Sequence, residues 1–435
     1  MTTFLLLLVV LSTPAQQDPS DTLQVRPADL LEELAHPDRW RWVPNDRLPE
    51  GGLVDRLLVT SFVSPIFFFE VDVGAGGGVG ITDIDFLGKR RSQFANTWIT
   101  YTSEGQQRFS FSWRKWLAHI DDPGRGILQG DRDHVGISLE SSRTLTSRFF
   151  GLGASTTLDD ESSYTRATDS LGFNLQKSLP QIGGPWIYSL GVTLQTDDIS
   201  SGEVSEALNT IDEYPILTSE GDDFGAVWIQ GSLRHDTRDA QHLPYEGHTI
   251  GISLLGCPIV SQETNTDSLE GGLITTLHGS WVRPVSPLFH SGGDQNREHP
   301  PIDSIAGYLK LSMSSGELPF WSLPSLGGSN SLRGSISGRW RGQHAWSAGA
   351  EWRPWVIPEG FAIYEDIRLE RGGLALFLDL GSVSESLDQL IEEPVHYSYG
   401  IGLRFTFERQ ALFRADLGRS DDGEMNMSIR YGLPF

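Results

Sequence analysis

From residue 60 onward, run after run of this sequence alternates between apolar residues and small or polar ones. Met425, Met427, Ile429, Tyr431, Leu433 and Phe435 interleave with Asn426, Ser428, Arg430, Gly432 and Pro434. Tyr397, Tyr399, Ile401, Leu403, Phe405 and Phe407 interleave with Ser398, Gly400, Gly402, Arg404, Thr406 and Glu408, and Trp186 to Leu194 repeats the pattern. A period of two is that of a β-strand, whose successive side chains point to opposite faces. In a soluble sandwich the second face meets water and carries Lys, Thr and Glu. Here that face is Gly and Ser with scattered Arg and Asp, which suits the lumen of a barrel whose other face meets lipid.

The alternation predicts about sixteen strands. The first lie near 67–82, 93–103, 106–117, 134–145 and 148–157, and the last near 411–419 and 424–435. The number is even, and each run is about long enough to cross a bilayer at a tilt. The 435 residues therefore read as an all-β chain, with one membrane-spanning antiparallel β-barrel over 61–435, rather than as two or three globular domains. No apolar run approaches the roughly 20 residues of a spanning helix. A net charge of −24 argues against nucleic acid, which wants a basic face. A single cysteine, Cys257, excludes a disulfide framework and a cysteine zinc site.

Ahead of the barrel, residues 1–17 read as a secretory signal peptide, with an apolar run from Phe4 to Leu11 before small residues. Residues 18–60 form a short polar segment, expected in the periplasm, with one helix around Pro27–Leu34 and the pair Trp40 and Trp42. If the first strand runs outward, connections after odd strands are external. The one between the seventh and eighth holds Asp197, Asp198, Glu203, Glu206, Asp212, Glu213, Glu220, Asp222 and Asp223 without a Lys or Arg, and reads as solvated surface.

Parity assigns the charges of the late strands. Leu374, Leu376, Leu378 and Leu380 take the lipid side, so Asp379 faces the lumen; Trp346 to Trp352 on even positions face out, so Glu351 and Arg353 face in. The same count puts Asp416, Arg404 and Arg414 on the inner wall.

Five motifs stand in order along this framework. Gly327-Gly328-Ser329-Asn330-Ser331-Leu332-Arg333-Gly334 falls between the eleventh and twelfth strands, and Phe377-Leu378-Asp379-Leu380-Gly381 lies on a strand. Asp236-Thr237-Arg238-Asp239 is followed by Pro244 and Gly247. The first hairpin region ends Asp85-Phe86-Leu87-Gly88, and the terminal strand carries Tyr431 and closes on Phe435. Together they resemble the BamA/TamA superfamily of outer-membrane assembly and translocation barrels, the bacterial surface antigen type. The resemblance covers most of 60–435. It departs at Leu332 and Ser335, where that family has Val and an aromatic.

The resemblance implies a long loop between strands 11 and 12 that folds into the lumen, its Arg333 meeting acids such as Glu351 and Asp379 beside Gly334 and Gly381. It implies a periplasmic turn at Asp236, Arg238 and Asp239, a C-terminal barrel signal at Tyr431 and Phe435, and a seam between first and last strands that opens toward lipid. It implies residence in the outer membrane of a Gram-negative-type envelope, among lipid and lipopolysaccharide. The partners implied are unfolded or passenger proteins and a separate periplasmic protein, since 18–60 is too short for a POTRA domain.

Enzyme chemistry is not expected. There is no Gly-x-Ser-x-Gly elbow and no His-Glu-x-x-His, and His235, His242 and His248 lack metal spacing, so no cofactor or metal is implied. Gly74 to Gly80 lacks the Lys of a phosphate loop and reads as a bend or as weakened pairing of the first strand. Two functions stay open: protein insertion or translocation, and a passive or solute-selective pore that keeps the fold without that role.

Overall fold

Sixteen antiparallel strands close into one barrel in the computed structural model. The structure describes residues 40–43, 61–71, 73–83, 93–122, 126–130, 132–218, 224–239, 243–261, 271–292, 301–364, 367–407 and 411–435. The strands are β1 Ser61–Glu70, β2 Gly74–Asp83, β3 Gln93–Thr102, β4 Gln107–Trp116, β5 His134–Phe149, β6 Ser162–Leu179, β7 Trp186–Ser201 and β8 Phe224–Asp236. They continue as β9 Gly247–Ser261, β10 Gly271–Val285, β11 Asp303–Glu317, β12 His344–Arg353, β13 Ile367–Ser384, β14 His396–Phe407, β15 Ala411–Ser420 and β16 Met425–Tyr431. Each pairs with its chain neighbour, and β1 meets β16. Closure pairs each strand with its neighbours, leaving free edge only along the short β1–β16 seam; in hydrocarbon an unpaired backbone amide costs on the order of several kcal/mol. The expected signal peptide, the Pro27–Leu34 helix and His242 lie outside the described residues.

The expected strand number is right, but two of the expected boundaries err in compensating directions. The run 67–82 is two strands, β1 and β2, joined by a tight turn before Gly74, whose φ of 77° only glycine adopts without strain. Apolar Val71 and Val73 carry the alternation straight through the turn. Conversely, 134–145 and 148–157 are not two strands. β5 runs on to Phe149 through a register irregularity between Thr144 and Ser147. A polar bulge here imitates a turn. Asp197 and Asp198, counted with the acidic loop, instead lie inside β7, and of the two Asp197 points inward. It is buried and bound by Arg166 Nε at 2.9 Å and Thr168 Oγ1 at 2.6 Å.

The alternation sorts the two faces as expected. Leu376 and Leu378 are exposed on the outer wall, while Phe377 and Asp379 are buried. The buried core lies inside the barrel toward one end, here the upper end. There Phe149, Tyr164, Phe224 and Trp228 from the wall pack around Phe320 and Trp321, which follow β11. At the lower end Trp40–Val43 adds a strand to the hairpin formed by 119–122 and 126–130, within the β4–β5 connection.

Candidate functional site

The segment from Leu318 to Gln343 joins β11 to β12 and returns across the interior instead of standing clear of it. Leu326, Leu332 and Trp340 are buried with Ala345 of β12 and Val383 of β13. With its apolar side chains engaged, the segment brings in three arginines, Arg333, Arg339 and Arg341, all buried.

Arg333 is held most completely. Its Nε donates to Asp379 Oδ2 at 2.8 Å and its Nη2 to Asp379 Oδ1 at 2.9 Å, a bidentate pair that matches the planar guanidinium to the carboxylate. Its Nη1 donates to Glu351, and the guanidinium lies 3.7 Å over the Phe377 ring. Glu351 is the hub, because it also accepts from Arg353 Nε at 2.8 Å and Arg404 Nη2 at 2.9 Å. Arg404 continues to Asp416 at 2.7 Å, and Asp416 accepts from Arg414 Nη1 at 3.1 Å. Arg414 then returns to the loop, donating to the Ser329 carbonyl at 2.9 Å and Asn330 Oδ1 at 2.8 Å. β12, β13, β14 and β15 each contribute a member. Inward charges on neighbouring strands form one chain because parity stacks them on the same face.

Two glycines make the approach possible. A Cβ on Gly334 would lie 2.4 Å from the Arg419 carbonyl carbon, so loop backbone rests directly on β15 backbone. A Cβ on Gly381 would crowd Leu326 and Leu332. Asn426 of β16 adds a clamp, its amide donating to the carbonyls of Arg333 at 3.2 Å and Ser335 at 3.0 Å. Further up, Arg339 Nε donates to Asp422 at 3.2 Å and its Nη2 to the Thr156 carbonyl at 3.1 Å. His396 touches both Asp421 and the Ala154 carbonyl and stacks on Trp340. The upper mouth is thus covered by three connections, tied to one another and to His396 at the head of β14.

Arg333, Gly334, Glu351, Asp379, Gly381, Arg353, Arg404, Arg414 and Asp416 therefore gather at one place. Asp236, Arg238 and Asp239 do not join them. They close the turn after β8 at the lower end, where Asp236 accepts from Arg238 Nη2 at 3.1 Å and faces Arg132 Nη2 at 3.4 Å. Asp239 caps that turn by accepting the Tyr245 and Glu246 amides. Sequence reasoning passed over Asn426 and the Ser329–Arg414 contact, which join loop to wall, and Arg339 and Arg341, which bind neighbouring connections and the loop's own carbonyls; none has a local pattern.

The alternation was expected to carry Leu433 and Phe435 along the outer face. The structure differs. β16 ends at Tyr431, whose ring meets that of Phe413 at 4.1 Å in a tilted contact, and Gly432 turns with φ 77°. Phe435 then leaves the wall, meeting Tyr308 of β11 at 4.6 Å and the Arg353 guanidinium at 5.3 Å. The seam reflects this departure. β1 and β16 pair only at Phe69↔Ile429 and Glu70↔Ser428, whereas β15 and β16 pair from Phe413↔Tyr431 to Arg419↔Met425.

A sequence profile described as the Omp85 superfamily domain matches residues 85–435. The chain belongs to the Omp85 superfamily. This bears out the resemblance read from the motifs. Among solved structures, this Omp85 barrel is similar to BamA from Haemophilus ducreyi lacking POTRA domains 1–3, with a TM-score of 0.53 and 15% identity over 86% of this chain and 70% of that one. It is also similar to CdiB from Acinetobacter baumannii, with a TM-score of 0.49 and 12% identity over 86% of this chain and 59% of that one. No curated protein matches it in sequence. Membership makes it an outer-membrane barrel and implies a non-enzymatic part in protein assembly or translocation.

Proposed function

We propose that this barrel inserts or translocates proteins at the outer membrane. Its 318–343 loop keeps the lumen closed from outside, and the β1–β16 seam admits a client strand from the side. The covered upper end faces outward and the lower end the periplasm, after export directed by residues 1–17. Its surroundings are outer-membrane lipid and lipopolysaccharide. Its partners are unfolded or passenger chains and a separate periplasmic protein. The observation that carries this reading is an asymmetry: the loop is fixed to β12–β15 by a chain of buried ion pairs, while β1 and β16 share two register positions. A passive pore would have no use for so short a seam.

Purified protein in liposomes tests it. The expected result is faster insertion of a model barrel protein, reduced several-fold in Arg333→Ala while heat-modifiable migration still reports a folded barrel. Large, steady conductance in planar bilayers with no effect on insertion would establish the pore instead.

A further inference from the structure

On the outer wall near the lower rim, four rings form a row across neighbouring strands: Trp186 of β7, His235 of β8, His248 of β9 and Trp281 of β10. Trp186 lies 4.8 Å from His235, His235 lies 5.6 Å from His248, and His248 and Trp281 are register partners. Outward Ile250, Ile252 and Leu254 stand on the membrane side of this row. Aromatic rings with polar edges mark the level of the lipid headgroups. Below the row, Thr237, Asp239, Glu246, Gly247, His248, Trp281 and Arg283 line a cavity of about 460 Å³.

This cavity is built rather than incidental. Trp281 is seated against β11, because a Cβ on Gly307 would fall 2.9 Å from its indole. His248 is oriented by Thr237, with Nδ1 3.1 Å from the hydroxyl. Of the three charged side chains in the lining, Asp239 is engaged by the Tyr245 and Glu246 amides, and the other two, Glu246 and Arg283, carry opposite charges without meeting each other. Among the described residues, neither the Arg283 guanidinium nor the Glu246 carboxylate has an ion pair or side-chain hydrogen bond, and both residues are exposed. Opposite charges that share a small cavity and leave each other unpaired suit a ligand that carries both signs.

We infer that this cavity binds the phosphoethanolamine headgroup of a phospholipid in the adjoining leaflet. Arg283, helped by the His248 ring, takes the phosphate, as guanidinium groups do. Glu246 takes the ammonium, whose three N–H donors resemble those of a lysine. Trp281, which lines the cavity, lies along the glycerol and upper acyl chain. A trimethylammonium headgroup has no N–H to give Glu246, and a glycerol headgroup has no cation. The inference requires only that the outer wall meets lipid; it does not depend on the assembly role.

The test is native mass spectrometry of the detergent-solubilised full chain titrated with phosphatidylethanolamine, phosphatidylcholine and phosphatidylglycerol of equal chain length. The wild-type chain should hold phosphatidylethanolamine about tenfold more tightly than either of the others, the scale of one charge-assisted hydrogen bond. Arg283→Gln should weaken phosphatidylethanolamine and phosphatidylglycerol alike, whereas Glu246→Gln should weaken only the former. Equal affinity for the three lipids in the wild-type chain would overturn the inference, even if a variant fails to fold. So would a preference that both folded variants retain. Soluble glycerophosphoethanolamine that displaces the lipid mole for mole would show that the acyl chains are irrelevant, and would overturn the lipid assignment.

Discussion

The wall from β12 to β15 and the seam between β1 and β16 use the same backbone geometry to opposite ends. At the first, inward carboxylates and guanidinium groups are matched across four strands and a loop is fastened over them, so the ladder is reinforced by side chains. At the second, the chain end leaves the ladder at Gly432 and carries Phe435 into the lumen, so much of β1 has no β16 partner among the described residues. The two regions touch. Phe435 stacks on Arg353, which is bound to Glu351, the carboxylate that also holds Arg333. The side that is locked thus provides the seat for the chain end that has left the other.

The widest separation between the regions comes from removing the hub. Glu351→Ala would leave Arg333, Arg353 and Arg404 buried and facing one another. Breaking a buried ion pair by deleting one partner costs about 3–5 kcal/mol. Urea unfolding of the reconstituted barrel should register a loss on that scale, or the variant should fail to reach its folded migration. An unchanged midpoint would mean that lumen water, not Glu351, solvates these cations. The seam is tested next by F69C/I429C. These are register partners, and paired Cα atoms lie at about 4.5–5.5 Å, within disulfide range. Oxidation should reduce client insertion at least tenfold, about 1.4 kcal/mol in barrier, with full recovery on reduction. Insertion that proceeds equally well when cross-linked would separate function from the seam.

The locked wall was far more legible in the sequence than the seam. Period-two alternation is a local signal, and it placed Glu351, Asp379, Arg404 and Asp416 on one face because a strand allows no other parity. Arg333 was found through a motif. Local pattern could not reveal what is decided across the interior: Asn426 holding the loop carbonyls, Gly334 lying on β15, or Phe320 and Trp321 filling the upper lumen. The departure of Phe435 was hidden for a related reason. Gly432, Leu433, Pro434 and Phe435 preserve the alternation in sequence while one positive φ takes them off the strand. Likewise, Val71 and Val73 masked the β1–β2 turn, and the polar stretch of β5 made a bulge resemble a loop.

That positive φ gives a smaller test of how the regions communicate. Gly432→Ala should disfavour the turn by about 1–2 kcal/mol, the cost of a left-handed backbone for an L-residue. The chain end is then expected to return toward β1. Hydrogen exchange should show greater protection of Ser61–Phe68 and slower client insertion, with the Arg333 loop unaffected. Equal exchange in β1 would mean that the seam is short for reasons other than the turn.

The smallest expected effect lies in the cover itself. Glu424, in the turn between β15 and β16, has its carboxyl pushed up to about 7, first by burial and then by the nearby Asp422 carboxylate, against the attraction of Arg339. Its folded-state value therefore stands above the ordinary one, and the folded cover binds the proton more tightly than the open chain does. The stabilisation is fully present below the ordinary carboxylate range and is lost as pH rises through 7. Because the group is partly solvated, the effect should be about 1 kcal/mol. Hydrogen exchange of 150–161 and 328–340 should accelerate between pH 5.5 and 8 beyond the intrinsic pH dependence of exchange. Glu424→Gln, which stays neutral, should remove that excess and protect the cover at pH 8. The charge that opposes Glu424 belongs to Arg339, bound to Asp422 and Thr156 rather than to the Glu351 hub. The exchange of segments around Glu351 and Asp379 should consequently be indifferent to this titration, and a matching pH dependence there would show that the cover and the inner lock open as one unit.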